Sequence, residues 1–442
     1  MPLLSFPAER LHWPADRITA WQLERLRDSL ARAKKSPYYA ARLGGARIDT
    51  LDDLTRLPLT TKEDVREASP FGLVAVPPEE LSQYHESYGT TGTPAASWMT
   101  RGDLLNYAAQ INHTAVDFQP GERVLVRFPY AISVPAHIFT LAARERGACA
   151  IPASSRTAIT PYRRVIDLLT KLEVAVVGCL PTEAIWLAET ARLLGRDPAR
   201  DFPHLRAICT AGELLSDARR RRIGALWNAR VYSMYGCTEA GNMAADCAHG
   251  RLHLSWDHFL METLDERLEK PVPPGELGSA VVTTLTREAM PLVRFVLGDA
   301  LRIIADHDCP CGRTAPVIEH FGRDLNRFTY EGRSYFVRDL EQRLLAAPAE
   351  NIGNLWLIEL RERDVCFRAE AERPDEALNR RLAQQVRDEL GLPLTIETVP
   401  VGRLMDRGRL LHVDPVGKPR VIGRLPPGRA TGLTLDEIAT AG

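Results

Sequence analysis

Hydrophobic positions recur at two spacings along the chain, and the change from one spacing to the other outlines the architecture. Between residues 120 and 210, short apolar runs alternate with segments whose apolar residues recur every three or four positions. The runs predict buried strands at 123–128, 148–152, 174–179 and 206–210, and the segments between them predict helices. This alternation is typical of a parallel α/β sheet covered by helices on both faces.

The N-terminal part of the chain is predicted to be helical. Leucines spaced by three and four residues predict one helix over residues 16–43. Thr60-x-x-Glu63 and Thr100-x-x-Asp103 have the spacing of capping boxes, so each predicts the start of a further helix.

The C-terminal half follows a different pattern. Strands at 277–285 and 292–304 predict a smaller, barrel-like β-rich subdomain at about 245–322. Beyond it, the order strand, helix, strand, strand, helix, strand predicts a small α+β domain of ferredoxin-like type. We therefore divide the chain into a large N-terminal domain, 1–322, and a small C-terminal domain, 323–442.

Composition and charge narrow the class of protein. The chain has 442 residues, of which 45% are hydrophobic and 26% charged, as in globular proteins of more than one domain. The formal net charge of −1 gives no electrostatic reason to expect nucleic acid or an anionic membrane as a partner. No apolar run approaches the ~20 residues that span a bilayer, and the N-terminus lacks the pattern of a signal peptide. A cytoplasmic enzyme is the default expectation.

One stretch between Ser87 and Pro94 concentrates glycines and hydroxyls. Glycine backbone N–H groups and hydroxyls are donors that can surround a phosphate without steric hindrance. The stretch is not a Walker A loop, because no lysine follows its second glycine. An ordinary surface turn explains the stretch equally well when it is taken alone. Its candidate phosphate-binding residues are Ser87, Gly89, Thr90, Thr91 and Gly92.

Two polar loops follow predicted strands of the parallel sheet, at the carboxyl ends where such sheets bind ligands. They offer an aromatic ring, glycines, a hydroxyl and carboxylates, which suit a purine base and a metal ion. Either loop taken alone could be a plain connection. Their residues are Ala211, Gly212 and Glu213 in the first loop, and Tyr235, Gly236, Cys237, Thr238 and Glu239 in the second.

Two single positions complete the candidate set. Asp299 follows Gly298 in a predicted strand, and its carboxylate could accept from both hydroxyls of a ribose, although a Gly-Asp turn is the alternative. Lys418 follows Gly417 near the C-terminus, where a lysine is usually a solvated loop residue.

Taken together and in this order, the motifs resemble those of the adenylate-forming superfamily of acyl-CoA synthetases, and within it the phenylacetate–CoA ligase group. The resemblance covers essentially the whole chain. The superfamily's phosphate loop corresponds to 87–94 and its Tyr-Gly-x-Thr-Glu element to 235–239. Its ribose-binding segment corresponds to 286–299, its interdomain hinge to 322–323 and its catalytic lysine to 417–418. Cys309-Pro-Cys-Gly-Arg-Thr314 is the segment that points to the phenylacetate–CoA ligase group.

The resemblance implies a reaction in two steps. A carboxylate attacks the α-phosphate of ATP with Mg²⁺, giving an acyl-adenylate and pyrophosphate, and CoA then displaces AMP. The first step brings two anions together, so positioning and charge neutralisation matter more than acid–base catalysis. A mobile C-terminal domain would serve two steps performed in two domain orientations.

The resemblance also implies a role for each candidate residue. Ser87, Thr90 and Thr91 would hold the β- and γ-phosphates in the loop that contains Gly89 and Gly92. Thr238 and Glu239 would hold Mg²⁺ and the α-phosphate, and Lys418 would stabilise the charge between acid and α-phosphate. The remaining nucleotide-binding positions are Ala211, Gly212, Glu213, Tyr235 against adenine with Gly236, and Asp299 with Arg323 at the ribose.

The acid and its acceptor are less defined. An aryl acid is implied by the group, with Tyr130, His137 and Gly236 lining its pocket. The usual acidic pair of the hinge falls on Leu325 and Asn326, so transfer to an amine, a hydroxyl or a carrier-protein thiol is the alternative to CoA. A non-catalytic nucleotide-binding protein would lack the motif residues, which are present. Members of the family are often dimers, but no stretch of this sequence identifies a homodimer interface.

The eight cysteines are scattered and do not form a secreted disulfide framework. Three of the cysteines and one histidine predict a structural zinc site instead, because three thiolates and one imidazole fill all four positions of tetrahedral zinc. The alternative is two reduced surface cysteines in a turn. The predicted ligands of this structural Zn²⁺ are Cys247, His253, Cys309 and Cys311.

Overall fold

The computed structural model describes residues 8–87, 94–305, 308–323, 326–412, 420–426, 429 and 432–440, without the side chains of residues 8, 439 and 440. Five of the predicted site residues lie outside this part of the chain: Gly89, Thr90, Thr91, Gly92 and Lys418. Among the described helices, none is both long and apolar enough to cross a membrane.

The N-terminal segment is helical, but its helices begin at other residues than predicted. It contains a 3-10 helix at Ala8–His12, then α1 (Ala15–Ala33), α2 (Pro37–Leu43), a 3-10 helix at Leu51–Arg56, and α3 (Lys62–Glu67). The single helix predicted over 16–43 is two helices, because Ser36 caps α2 and Pro37 occupies its first position, where no N–H is needed.

The capping box before α3 lies one residue later than predicted. Thr61, rather than Thr60, caps the helix, and Asp64 completes the box. Thr60 is buried instead, where it forms a parallel bridge with Phe295. This bridge attaches the start of α3 to a strand more than 200 residues further along the chain.

The central part of the chain alternates strands and helices, as predicted. A 3-10 helix at Pro78–Glu80 precedes the hairpin of β1 (Leu81–Glu86) and β2 (Ala96–Thr100). Then follow α4 (Arg101–Asn112), β3 (Arg123–Val126), α5 (Pro135–Glu145), β4 (Cys149–Pro152), α6 (Tyr162–Lys171), β5 (Val176–Cys179), α7 (Pro181–Leu193), β6 (Ala207–Thr210), α8 (Asp217–Trp227) and β7 (Arg230–Cys237).

The β-rich region continues the same sheet and is not a barrel. Its strands are β8 (Gly241–Asp246), β9 (Leu252–Leu254), β10 (Phe259–Leu264), β11 (Leu277–Thr284), β12 (Phe295–Ile304) and β13 (Val317–Arg323). The eleven strands are ordered β10-β11-β12-β13-β9-β8-β7-β6-β5-β3-β4. β7 pairs parallel with β6 on one side and antiparallel with β8 on the other. The sheet therefore changes from parallel to antiparallel at β7.

The C-terminal domain has the predicted α+β order, with one strand exchanged. Its elements are β14 (Arg327–Tyr330), β15 (Arg333–Phe336), α9 (Val337–Leu344), β16 (Trp356–Leu360), β17 (Val365–Ala371), α10 (Glu376–Leu390), β18 (Leu394–Pro400), a 3-10 helix (Arg407–Leu411), β19 (Ile422–Arg424) and α11 (Leu435–Thr440). The sheet order is β18-β17-β16-β19. The strand predicted at 334–337 forms a hairpin with β14, and β19 takes the fourth place in the sheet.

The C-terminal domain is docked on α8 of the N-terminal domain. Arg222 of α8 is 8% exposed and donates to four carbonyl oxygens of the C-terminal domain, those of Leu345, Ala347, Ile352 and Gly353. Leu214 and Ala218 of the N-terminal domain join the apolar core of the C-terminal domain. Leu355, Met405 and Leu410 of the C-terminal domain in turn belong to an apolar core of the N-terminal domain, so the docking surface is both polar and apolar.

A buried arginine orders the loop that follows β4. Arg127 has no exposed surface and pairs with Glu183 at 2.9 Å. It also donates to the carbonyl oxygens of Ala153, Ser154 and Thr160. A guanidinium offers five donors, so one side chain satisfies a buried carboxylate and three backbone groups at once.

We expect Arg127→Met to lower the free energy of unfolding by about 3–5 kcal/mol, because it removes the counter-charge of the buried Glu183 carboxylate. Urea unfolding measures this loss. Arg146→Met is the matched control, since Arg146 pairs with Asp117 at an exposed site where ion pairs contribute about 0–1 kcal/mol. Equal losses in the two variants would contradict the assigned role of Arg127.

Candidate active site

Two cavities meet at the carboxyl end of β7. The first has a volume of about 150 Å³ and lies between the end of β7, α4 and α5. The second has a volume of about 440 Å³ and extends between the N-terminal and C-terminal domains. Four residues line both cavities, which therefore lie side by side: Gly212, Met234, Gly236 and Arg323.

The predicted Tyr-Gly-x-Thr-Glu element is the end of a strand followed by a tight turn. The sequence predicted that the strand ends at Met234, but β7 continues to Cys237. Thr238 and Glu239 occupy the turn to β8, and both line the first cavity. A side chain on Gly236 would place its Cβ 2.1 Å from the carbonyl oxygen of Gly241, so the close pairing of β7 and β8 excludes one.

The predicted ribose-binding carboxylate is held by three side chains. Asp299 is 3% exposed, and its two oxygens accept from Tyr235 Oη at 2.7 Å and from Arg323 Nε at 2.9 Å. His320 Nε2 lies 3.7 Å from the same carboxylate. Burial would raise the pKa of Asp299, but His320 and the Arg323 charge outweigh it and hold that pKa well below its usual value.

The loop after β6 is fixed by its own carboxylate. Glu213 accepts from the backbone N–H of Thr182 at 3.1 Å and from its hydroxyl at 2.7 Å, at the start of α7. Gly212 has φ +81°, a conformation that favours glycine, and lines both cavities. Ala211 lines the first cavity. The loop therefore contributes its backbone to the cavities, while the Glu213 carboxylate caps a helix.

The strands that carry the glycine-rich stretch are attached to the turn after β7. Ser87 lines the first cavity, and its hydroxyl accepts from the N–H of Ala95 at 2.9 Å. Ser97 of β2 donates to the carbonyl oxygen of Thr238 at 2.9 Å, and Arg287 donates to Ser97 at 2.8 Å. The residues on both sides of the stretch are thus placed beside Thr238.

Three cationic residues of the first cavity were missed by the sequence analysis. Lys62, Arg66 and Arg156 line it. Lys62 Nζ lies 3.6 Å from the position that a Cβ on Gly298 would occupy, next to Asp299. The Thr60–Phe295 bridge brings Lys62 there, and no local pattern predicts a pairing over that separation.

Tyr130 and His137 were predicted to line the acid pocket, but neither is among the described residues that do. Tyr130 Oη bonds to Thr140 Oγ1 at 2.7 Å, and His137 Nε2 contacts the carbonyl oxygen of Tyr130 at 2.9 Å. They support the wall from behind. The wall itself comes from the neighbouring residues Phe128, Pro129, Ser133, Val134, Pro135, Ile138 and Phe139.

The four predicted zinc ligands come together away from these cavities. One ligand atom from each of Cys247, His253, Cys309 and Cys311 lies within 4.8 Å of the others. Two sulfur atoms, those of Cys247 and Cys309, are 3.7 Å apart. Tetrahedral zinc with bonds of about 2.3 Å would separate two sulfurs by about 3.8 Å. His253 Nδ1 contacts the carbonyl oxygen of Ala315 at 2.8 Å, which leaves Nε2 toward the thiols.

Comparison with known proteins identifies the family of this chain. A family model described as AMP-binding enzyme matches residues 44–284, which is more than half of the chain. The chain belongs to the AMP-binding enzyme family. The match includes the turn after β7 and ends before Asp299 and Arg323, the two residues predicted to bind the ribose.

Curated relatives and solved structures agree with the family. A phenylacetate–coenzyme A ligase of Thermus thermophilus is 29% identical over 429 residues, 88% of this chain and 94% of that protein. One of Pseudomonas putida is 28% identical over 424 residues, 90% of this chain and 94% of that protein. A 2-hydroxyisobutyryl-CoA ligase in the postadenylation state has a TM-score of 0.82 at 22% identity and covers 96% of this chain and 94% of its own.

We expect Asp299→Asn to raise the KM for ATP about 10-fold or more, because an amide offers one acceptor oxygen where two are used. Initial rates of acid-dependent pyrophosphate release give this value. Asp265→Asn, in an exposed turn, is the control and should leave the KM unchanged. Since the pKa of Asp299 is lowered, the carboxylate stays ionised above about pH 4, and ATP affinity should not follow its titration between about pH 5 and pH 8. A KM that Asp299→Asn leaves unchanged would contradict the ribose assignment.

Proposed function

We propose that this adenylate-forming enzyme activates an aromatic carboxylic acid with ATP and passes the acyl group to CoA. The observation that carries the proposal is that the two cavities share Gly236 in their linings. On one side of this glycine the wall is apolar, with Phe128, Ile138 and Phe139, as a ring requires. On the other side lie Asp299 and the interdomain cleft. The two substrates would meet at the end of β7.

The nucleotide would lie with its ribose at Asp299 and its phosphates toward the turn after β7. Asp299 and Arg323 contact each other and line the second cavity, where a ribose hydroxyl can donate to the carboxylate. Thr238 and Glu239 line the first cavity next to Ser87. In the proposal, Glu239 binds Mg²⁺, because a carboxylate is the ligand that this cation prefers. The glycine-rich stretch after Ser87, which lies outside the described residues, would complete the phosphate site.

Positive charge surrounds the place where the two anions react. Lys62, Arg66, Arg156 and Arg323 line the first cavity, against the single described carboxylate of Glu239 there. A carboxylate that attacks a triphosphate needs this charge, since two anions repel each other most strongly in a partly dry site. The lining residues therefore favour adenylation over a reaction of neutral substrates.

Lys418 is proposed as the catalytic cation of the C-terminal domain. It lies outside the described residues, but Val421, three positions later, lines the second cavity. Val421 continues directly into β19, which is paired with β16 of the C-terminal sheet. This attachment supports a lysine that is delivered to the cleft by the C-terminal domain.

The acceptor is the less constrained half of the proposal. The curated phenylacetate–coenzyme A ligases support CoA. At the hinge, Asn326 Oδ1 accepts from the backbone N–H of Arg323, where the family has an acidic residue. A neutral amide at this turn is the observation that keeps an amine, a hydroxyl or a carrier-protein thiol as the second candidate acceptor.

A structural zinc ion is proposed for the cysteine–histidine cluster. The four ligands would use every coordination position, so the ion would bind no substrate. They belong to the β8–β9 turn, to β9 and to the loop after β12. The same loop holds the N-terminal segment, since Thr314 donates to the carbonyl oxygens of Leu11 and Trp13. The ion would therefore join the antiparallel half of the sheet to the start of the chain.

We expect pyrophosphate release from ATP and Mg²⁺ to require an aromatic acid, and to turn over repeatedly only when CoA is added. The measurement uses benzoates and phenylacetates, each with CoA, with an amine, with carrier protein or with no acceptor. Release that stops near one equivalent with CoA but continues with another acceptor would select the second candidate. Release that needs no acid would contradict adenylation.

Lys418→Ala should lower the rate of acid-dependent pyrophosphate release by about 100-fold or more, because it removes the cation from the first transition state. Lys171→Ala is the matched control, since Lys171 lies exposed at the end of α6. Equal rates in the two variants would show that Lys418 is not the catalytic lysine.

Elemental analysis should find one zinc per chain, and a chelator or Cys309→Ser should lower the melting temperature while the metal is lost. Cys149→Ser, at an exposed cysteine outside the cluster, should change neither quantity. Metal-free protein that melts at the same temperature as the purified protein would contradict a structural zinc.

A further inference from the structure

Two polar side chains interrupt the apolar wall of the first cavity. Ser133 and Asn242 both line it, and they are only 2% and 6% exposed. They face a space whose other walls include Ile111, Phe128 and Phe139. A polar group in such surroundings costs free energy unless it has a hydrogen-bond partner. Its presence therefore indicates a ligand that supplies that partner.

The amide of Asn242 is held in a single orientation. Its Nδ2 donates to the carbonyl oxygen of Gln110 in α4 at 3.3 Å, and its backbone N–H donates to Gln110 Oε1 at 3.2 Å. Asn242 pairs with Gly236 across the β7–β8 turn, and Gly236 has no side chain to fill the space between them. Within the described part of the chain, no group donates to Asn242 Oδ1.

The chemistry of Oδ1 decides what can bind there. A carbonyl oxygen accepts hydrogen bonds and donates none. The carboxylate of the acid and the phosphate groups of ATP and of the adenylate are also acceptors, so none of these groups can satisfy Oδ1. The partner must carry an O–H or N–H group. Because the Asn242 side chain is bonded to the carbonyl oxygen of Gln110, the residue before Ile111 of the apolar wall, we assign that group to the ring portion of the acid.

We infer that the acid activated by this enzyme carries a hydroxyl or amino substituent on its aromatic ring, and that Asn242 Oδ1 accepts a hydrogen bond from it. The inference rests on the proposed function, since it names the substrate of that same site. Ser133 Oγ is the second polar atom of the wall and can accept from, or donate to, the same substituent. Asn242 would thus determine specificity without touching the reacting atoms.

The test compares benzoate and phenylacetate with their ring-hydroxylated and ring-aminated derivatives, by kcat/KM for pyrophosphate release. We expect the best substituted acid to exceed its parent by about 10-fold or more, because a site built around a hydrogen bond rejects a ligand that lacks it. The O-methyl derivative of the best hydroxy acid should lose this advantage in the wild-type enzyme, since it keeps the oxygen but has no hydrogen to donate.

Asn242→Leu should reduce the ratio of kcat/KM for substituted over parent acid by about 10-fold, because the acceptor oxygen is removed. The variant keeps the size of the side chain, and the carbonyl of Gln110 retains its helical partner, the N–H of His113. Asn112→Leu is the matched control, because Asn112 also donates to a backbone carbonyl from α4 but lies outside the cavity lining. Its ratio should not change.

The outcomes distinguish a failure of the proposed function from a failure of the inference about the ring substituent. If no aromatic acid supports pyrophosphate release, the proposed function fails and the inference fails with it. If parent acids or O-methyl derivatives are used as well as the substituted acids, or if Asn242→Leu leaves the ratio unchanged, the inference is overturned while adenylation stands. The ratio within one variant is insensitive to loss of folded enzyme, so partial unfolding of Asn242→Leu does not imitate the expected result.

Discussion

The close approach of β7 and β8 is the constraint on which the site depends. β7 is the strand shared by the parallel and antiparallel halves of the sheet, and its last residues must pair with β8 while the chain reverses. Gly236 makes this possible, since a Cβ on it would lie 2.1 Å from the carbonyl oxygen of Gly241. Gly241 is also required, since a Cβ on it would lie 2.5 Å from the ring of Tyr107 in α4. Four of the residues assigned to nucleotide or acid are positioned by this turn: Tyr235 before it, Thr238 and Glu239 within it, and Asn242 after it.

The charges of the site match the reaction between two anions that is proposed for it. Cations line the cavity where the acid and the α-phosphate would meet. Asp299, in contrast, accepts hydrogen bonds from Tyr235 and Arg323, and its lowered pKa keeps it ionised. A carboxylate placed freely among the phosphates would repel them, but one neutralised by Arg323 can still accept from a ribose. In the proposed reaction, the pair would thus present an acceptor to the sugar without adding net negative charge near the reacting atoms.

The sequence predicted those parts of the molecule that depend on neighbours along the chain. Alternating strands and helices, the capping box at Thr100 and the order of elements in the C-terminal domain are local patterns, and the structure contains them. The motif residues Asp299 and Arg323 were predicted by resemblance, and the structure brings them into contact. Lys62 and Asn242 were not predicted, because each reaches the cavity through a contact between distant segments. In the C-terminal sheet, β19 takes the place predicted for β15. This pairing also joins segments that are distant in sequence, so a local pattern did not predict it.

The way the two domains touch fits a reaction of two steps. Arg222 holds the C-terminal domain through backbone carbonyls, and Arg407 of that domain pairs with Glu189 at 2.6 Å. Carbonyls and carboxylates exposed by opening such contacts can be solvated by water, whereas an interface of the same size made only of apolar side chains would lose its hydrophobic stabilisation. The docked arrangement places Val421 at the nucleotide cleft. In the proposed reaction, an attachment that is partly polar would hold the segment before Val421 at the cleft for one step and release it for the next.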